Sequence, residues 1–400
     1  MGHAAERATF RDVFSVSEFR ALWLAQVLSV AGDQLARVAL TILVYDRTGS
    51  SLLAAVTFAC SMFPSFIGGI ALSGLADRFP RRSVMIACDL IRAVLVAIMV
   101  IPGIPLGGLV VLLFFVTLTG APFLSARAAV YPDVLPGDRY VLGTAITQTT
   151  FLFAQVIGFA VGGAVVGLFG IHASLLADAA TFIASALLVW LWVRARPPAR
   201  AAERRRPRPL ADAATGAHLV FSTPALRVPM LLGWLAAFYD VPEGVATPFA
   251  RELHGGPVTV GLILAAGTFG ASVGMVSFSR LVAPDRRVRW MGPLAAMCCG
   301  VLVLMAFEPG LTLSLAILAV SGLLTCFQTA ANAAFVAAAP PHRRSQVFGL
   351  AQGGMNLGQG AAMIIAGAVA QHTGPAVVIA AAGTIGTICA ITITLSDARY

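Results

Sequence analysis

Twelve apolar runs of roughly twenty residues, each closed by a Pro, Gly or Arg turn, leave this chain few ways to fold. A helix of that length crosses the hydrocarbon core of a bilayer. The runs lie at about 19–44, 51–75, 81–101, 106–128, 141–168, 173–193, 228–250, 258–281, 290–307, 311–337, 346–370 and 376–395. A soluble fold would need a charged shell, yet only 11% of the 400 residues are charged while 58% are hydrophobic. An ordinary soluble domain carries about a quarter charged residues. The expectation is an all-α integral membrane protein with twelve transmembrane helices.

The long polar break gives a tail 1–18, a six-helix bundle 19–193, an Arg/Pro-rich linker 194–227, a second bundle 228–395 and a tail 396–400. Within the linker, residues 210–221 read equally as a short helix on the membrane surface or as solvated chain. Every basic residue is Arg. With the N-terminus inside, 23 Arg fall on the inner side and only Arg47 and Arg251 outside, with Arg37 and Arg92 inside spans. Positive charge marks the cytoplasmic side, so both termini and the linker are expected in the cytoplasm, with the chain multi-pass in the cell membrane.

The net charge of +9 therefore orients the chain and does not point to nucleic acid. The absence of Lys excludes a Walker A loop and any Lys Schiff base. The six Cys sit in apolar runs without metal-ligand spacing, and the six His lie in tails or loops, so no metal centre is expected. The spans show no nucleophile–base constellation, which argues against an enzyme or a resident cofactor. The first twenty residues are polar and charged, and no cleavable signal peptide is read there.

The two halves repeat each other. A shift of 204–207 positions lays Arg20 on Arg227, Asp33 on Asp240, Ser73-x-Leu75 on Ser279-x-Leu281, and Ala126-Arg127-Ala128-Ala129 on Ala331-Asn332-Ala333-Ala334. Gln148, Gln155, Gly163 and Gly170 fall on Gln352, Gln359, Gly367 and Gly374. The shift is six spans, an even number, so the halves share one orientation about an axis along the membrane normal. An old duplication without mechanistic use fits too, although paired halves in a membrane commonly enclose a midplane site.

Between the second and third runs stands Ser73-Gly-Leu-Ala-Asp-Arg-Phe-Pro-Arg-Arg82. It resembles the cytoplasmic loop signature of the major facilitator superfamily: Leu75, Asp77, Arg78, Arg81 and Arg82 match, while Ser73 and Pro80 replace Gly. The stretches GDQLARVAL, DLIRA, RAAVYPDVLP and VPEGVATPFA are similar to the drug- and siderophore-exporter branch. The resemblance implies two pseudo-symmetric six-helix bundles, with spans one and seven lining a central cavity. In the loop, Asp77 offers an acceptor and the Arg cluster fork-shaped donors, an inner latch that pairs across the halves. A purely topogenic Arg cluster is the alternative. Gly158-Phe-Ala-Val-Gly162-Gly163 is similar to an antiporter helix motif with Phe159 in place of its Pro, and close helix packing explains these glycines equally well. The family's Arg within the fourth span is missing.

Ionisable side chains within spans are costly and mark candidate sites. Asp33 and Arg37, i and i+4 on the first span, can pair directly. Asp240 and Glu243 share a face of the seventh. A carboxylate in a weakly hydrated cavity can hold a proton near neutral pH, as proton coupling requires. The alternatives are a permanent ion pair for Asp33 and an outer-interface group for Glu243. Asp89 and Arg92 read as a pair extending the gate loop, and Asp178 as interfacial. Gln148, Asn332 and Gln352 are polar candidates for a cavity wall or for helix–helix hydrogen bonds.

These features lead to a secondary transporter working by alternating access, driven by protons and exporting a lipophilic small molecule such as a drug, natural product or siderophore. An importer or a lysolipid flippase on the same fold is the alternative, and a non-transporting scaffold a different class. The expected partners are the bilayer, the small molecule and protons, with no nucleic acid, and the expected state is a monomer.

Overall fold

The computed structural model describes residues 9–61, 64, 67–68, 72, 75–196, 217–340 and 344–397. Every regular element among them is helical, and the chain is an all-α protein of the membrane. Among the described residues, seven helices are long and apolar enough to cross a bilayer: Ser17–Thr48, Leu106–Val134, Asp138–Trp192, Pro257–Leu281, Arg286–Phe307, Leu311–Ala338 and Pro375–Ser396. They carry eight of the expected runs, because Asp138–Trp192 is 55 residues long and joins two. Its junction is Gly170, at φ 83° and ψ 172°, a conformation open to residues without a Cβ.

The other four runs fall on helices that hydropathy alone undervalues. Arg81–Met99 carries Asp89 and Arg92, and Arg344–Thr373 is rich in Gly and amide side chains. The run 51–75 starts as Ser51–Ala59 and continues in part outside the described residues. The run 228–250 is not one helix but four pieces: Pro224–Trp234, Ala236–Tyr239, Val241–Gly244 and Ala246–Glu252. Pro229, Pro242 and Pro248 each withdraw a backbone donor along it. Of the expected surface helix at 210–221, residues 217–221 are helical and the rest lies outside the described residues.

Packing divides the chain into two compact units, Met1–Ala39 with Pro64–Glu203, and Leu40–Phe63 with Arg204–Tyr400. Within the first, Arg81–Met99 buries Val84, Met85, Cys88, Asp89, Arg92, Val96 and Met99, while Leu90, Ile91, Val94 and Ile98 face outward. The buried stripe thus holds the charges and the outer face is hydrocarbon, as a lipid solvent demands. Lipid provides no hydrophobic drive for helices to associate, so close backbone approach has to hold them.

The second unit shows that device clearly. A Cβ on Gly274 would collide with the Leu323 carbonyl, and one on Gly322 with the carbonyl of Gly267, across the pair Pro257–Leu281 and Leu311–Leu324. A Cβ on Gly267 itself would meet nothing within 4 Å. Gly274→Ala should therefore destabilise by about 1–3 kcal/mol through overpacking. Gly267→Ala should leave stability unchanged or raise it by about 0.5–1 kcal/mol, the usual gain of Ala over Gly in a helix. Thermal unfolding of the two variants in detergent measures both; equal losses would contradict the assigned packing.

Candidate functional site

The first unit is organised around one guanidinium. Arg92 sits on the inward stripe of Arg81–Met99 and is buried. Its Nη2 donates to both oxygens of Asp33, at 2.6 and 2.9 Å, and Nη1 donates to Ser29 Oγ at 3.2 Å. Asp89 Oδ1 lies 3.8 Å from Nη1, and the Phe182 ring stacks 4.0 Å from the guanidinium carbon. Ser185 donates to Asp89 Oδ2 at 2.6 Å. One terminal nitrogen thus reaches both carboxylate oxygens while the other serves Ser29, a charge-assisted link between two helices. The sequence offered Arg37 as a partner of Asp33; both oxygens of Asp33 accept from Arg92, on another helix.

Asp178 departs further from its expected interfacial place. It is fully buried on the inner stripe of Asp138–Trp192, one turn from Phe182. That stripe, Ser174, Asp178, Thr181 and Ser185, repeats at helical spacing. Gly158 and Gly162 bring the same helix onto the first: Cβ atoms there would stand 2.9 Å from the Ala31 carbonyl oxygen and 3.1 Å from Leu35 Cα. Gly163 is buried beside them.

At the loop, Leu75, Asp77 and Arg78 lie on the short helix Leu75–Arg78, with the Asp77 side chain outside the described residues. Arg81 donates to the Ala129 carbonyl at 2.8 Å and to Asp133 at 2.9 Å, and Arg82 donates to the Trp190 carbonyl. Arg82 thus bonds a carbonyl in the last turn of a neighbouring helix, and Arg81 reaches the last turn of another through Asp133, at ends where the helix dipole is negative.

In the second unit Asp240 lies at a break of the fragmented helix, and its Oδ2 accepts from Gln359 at 2.5 Å. Glu243, one turn on, is near enough to interact with it electrostatically. A separate pocket of about 400 Å³ opens between the helix pieces and Phe327–Ala338 and Arg344–Thr373. Its walls include Met230, Trp234, Gln328, Phe335, Phe348 and Met355, and no residue along them is charged. Asn332 and Gln352 line it, as the polar-wall reading expected; Gln352 donates to Asn356. Gln148 is an exposed residue of the first unit. Sequence reasoning passed over Trp234 and Gln328. Trp234 donates to the Ala351 carbonyl at 2.9 Å, and Gln328 donates to the Gly233 carbonyl and to the Tyr239 hydroxyl. An indole and an amide inside apolar runs were the available signal.

Arg92→Met strands buried carboxylates and should cost about 3–5 kcal/mol. Asp33→Asn leaves Arg92 its neighbour Asp89 and should cost clearly less. Thermal unfolding of both variants checks the order.

A family model described as Major Facilitator Superfamily matches residues 22–307 and 244–398. The multidrug efflux pump Tap of Mycobacterium tuberculosis is 26% identical over 347 residues, 82% of this chain and 80% of that protein. The enterobactin exporter EntS of Citrobacter koseri is 25% identical over 268 residues, covering 66% of this chain and 63% of that one. The MFS-type transporter YkuC of Bacillus subtilis is 28% identical over 196 residues, 44% of this chain and 42% of its own length. The match thus spans less than two thirds of the length of EntS and of YkuC. Among solved structures, the nucleoside transporter NupG superposes with a TM-score of 0.75 at 13% identity, over 94% of this chain and 99% of that one. A bacterial homologue of the human lysosomal transporter Spinster does so at 0.73 and 15%, over 95% and 96%.

Proposed function

We propose a function on one premise: the chain belongs to the Major Facilitator Superfamily, a family of membrane transporters and not of enzymes. It acts as a secondary transporter by alternating access, exporting a neutral, lipophilic small molecule against a proton gradient. The observation that carries this reading is the uncharged pocket, with its Trp, Phe and Met walls and few amide groups. Apolar walls bind by area, amides orient, and the flexible thioethers of Met230, Met275 and Met355 adapt to varied shapes. Relatives named as efflux proteins support the outward direction. Protons are the coupling ion, with Asp33, Asp240 and Glu243 as the carboxylates that exchange them; no cofactor or nucleic acid takes part, and the monomer is the working unit. Asp77 with Arg78, Arg81 and Arg82 latches the inner side.

Uphill transport of a mixed lipophilic compound panel in proteoliposomes, with and without an imposed proton gradient, tests this. Glu243→Gln keeps shape and hydrogen bonding but cannot release a proton. It should reduce uphill accumulation to the level of downhill exchange, wholly so when combined with Asp240→Asn, and Asp77→Asn should abolish both. Full gradient-driven transport by the Glu243/Asp240 double variant would overturn the assignment of the coupling carboxylates.

The chain lies in the cell membrane with both termini and the 194–227 linker in the cytoplasm, a reading supported by the Arg distribution. Tags at these three places should be protected from membrane-impermeant reagents in intact cells. Labelling of any of them from outside would reverse or break the topology.

A further inference from the structure

Three carboxyls crowd the first unit, and they are not equally served. Asp33 takes both Nη2 bonds of Arg92 and keeps 29% of its side chain open. Asp89 has the Ser185 hydroxyl on one oxygen and Arg92 at 3.8 Å from the other. Asp178 is fully buried; among the described residues the Thr181 hydroxyl, which donates to the Asp178 carbonyl at 2.7 Å, lies 3.4 Å from Oδ1, and nothing is bonded to Oδ2. Its carboxyl presses on the backbone of Gly32, where a Cβ would collide with Asp178 Oδ1 and Thr181 Oγ1. Gly32 immediately precedes Asp33, so the two carboxyls meet around the same turn of the first helix.

The charges facing this place come from three helices. Asp33, with Arg37 one turn further, stands on the first; Asp89, Arg92 and the thiol of Cys88 stand on Arg81–Met99; Arg127 acts on Asp89 from Leu106–Val134. Those within electrostatic reach of Asp178 itself are Asp33 and Arg92. The guanidinium is committed to Asp33. An ionised Asp178 would then be a fully buried anion with one oxygen bare, a state far more costly than a neutral carboxyl. Arg92 Nε, also buried, has no acceptor, so the guanidinium has a donor to spare for a second partner.

We propose that Asp178 is a proton-binding carboxyl that shares Arg92 with Asp33, one proton residing on whichever of the two the guanidinium leaves. With Arg92 on ionised Asp33, Asp178 is the acid. When a proton from the open side of Asp33 neutralises that carboxylate, Arg92 turns to Asp178, whose proton departs. One proton enters at Asp33 and one leaves Asp178 for water reached as the guanidinium swings; the pair plus guanidinium is neutral before and after, and carries one positive charge only while both carboxyls hold protons. Its use in transport rests on the proton-coupled reading; the site itself does not.

The test is infrared spectroscopy of the purified chain in lipid nanodiscs at neutral pH, in H2O and D2O. Wild type should show the C=O stretch of a protonated carboxylic acid, shifted by deuteration. Asp178→Asn should lose a component of that band that the Glu243→Gln/Asp240→Asn double variant keeps. Thr181→Val, which removes the one hydroxyl at the carboxyl, should shift its frequency and serves if Asp178→Asn does not fold. A band that is absent in wild type, or unmoved by both Asp178→Asn and Thr181→Val, overturns the site. Gradient-driven transport measured on the same preparations separates the two ideas. If transport ignores the gradient while the band follows Asp178, the export reading falls and the site stands; if transport is proton-driven while the band ignores Asp178, the site falls and the reading stands.

Discussion

A guanidinium held away from water is the constraint to which the first unit answers. Placing an Arg at the centre of a membrane helix costs about 2.5–3.5 kcal/mol on insertion scales. Arg92 meets that cost with two bonds to Asp33, one to Ser29, the nearby Asp89 and the face of Phe182. These partners stand on three helices, Ser17–Thr48, Arg81–Met99 and Asp138–Trp192, so one side chain fixes their mutual register. In lipid, where tails are as apolar as Leu, a polar link of this kind selects one packing among many that greasy surfaces would accept.

Close approach makes the link geometrically possible. Gly158 and Gly162 let Asp138–Trp192 lie against the backbone of Ala31 and Leu35, and Gly32 leaves room for the Asp178 carboxyl. Gly158 and Gly162 belong to the part of Asp138–Trp192 before Gly170, and Asp178, Phe182 and Ser185 to the part after it, so the two glycines pack the first helix while Gly32 makes room for the carboxyl. At the inner end, Arg81 and Arg82 add bonds to the last turns of two helices of the same unit. That is a structural use for two loop cations, and it is compatible with a latch only if those bonds exchange.

What the chain's letters revealed follows from what periodicity can carry. Length and hydropathy mark eight of the twelve runs as membrane-crossing helices among the described residues, and the signature at Leu75–Arg82 pointed to the fold. Helical spacing also grouped Asp240 with Glu243 and Asp89 with Arg92. It could not decide whether Asp33 pairs with Arg37 along its own helix or with Arg92 across to another, because that choice depends on tertiary packing. The burial of Asp178 was hidden for the same reason: position near the end of a run suggests an interface, whereas its stripe with Ser174, Thr181 and Ser185 points to a helix partner. The breaks at Leu235, Asp240 and Val245 were signalled by Pro229, Pro242 and Pro248, yet apolar length outweighed them. The pocket walls combine residues of four segments, and no linear pattern assembles those.

The duplication gives the charge cluster its meaning. Asp33 and Asp240 occupy the same place in the repeat, and both remain acidic. A shift of 206 takes Asp89 and Arg92 to Ala295 and Cys298, both fully buried, and a shift of 204 takes Asp178 to Ala382, also buried. The second half thus has neither the guanidinium nor the two further carboxyls at these places, and its Asp240 is served by the amide of Gln359. Arg92 without the carboxyls would be a buried cation, and the carboxyls without Arg92 buried anions; either alone costs more than the set together or its replacement by Ala and Cys. The repeated halves therefore differ in charge: one holds a cation among acids, the other two carboxyls, Asp240 and Glu243, and a separate pocket lined by uncharged residues.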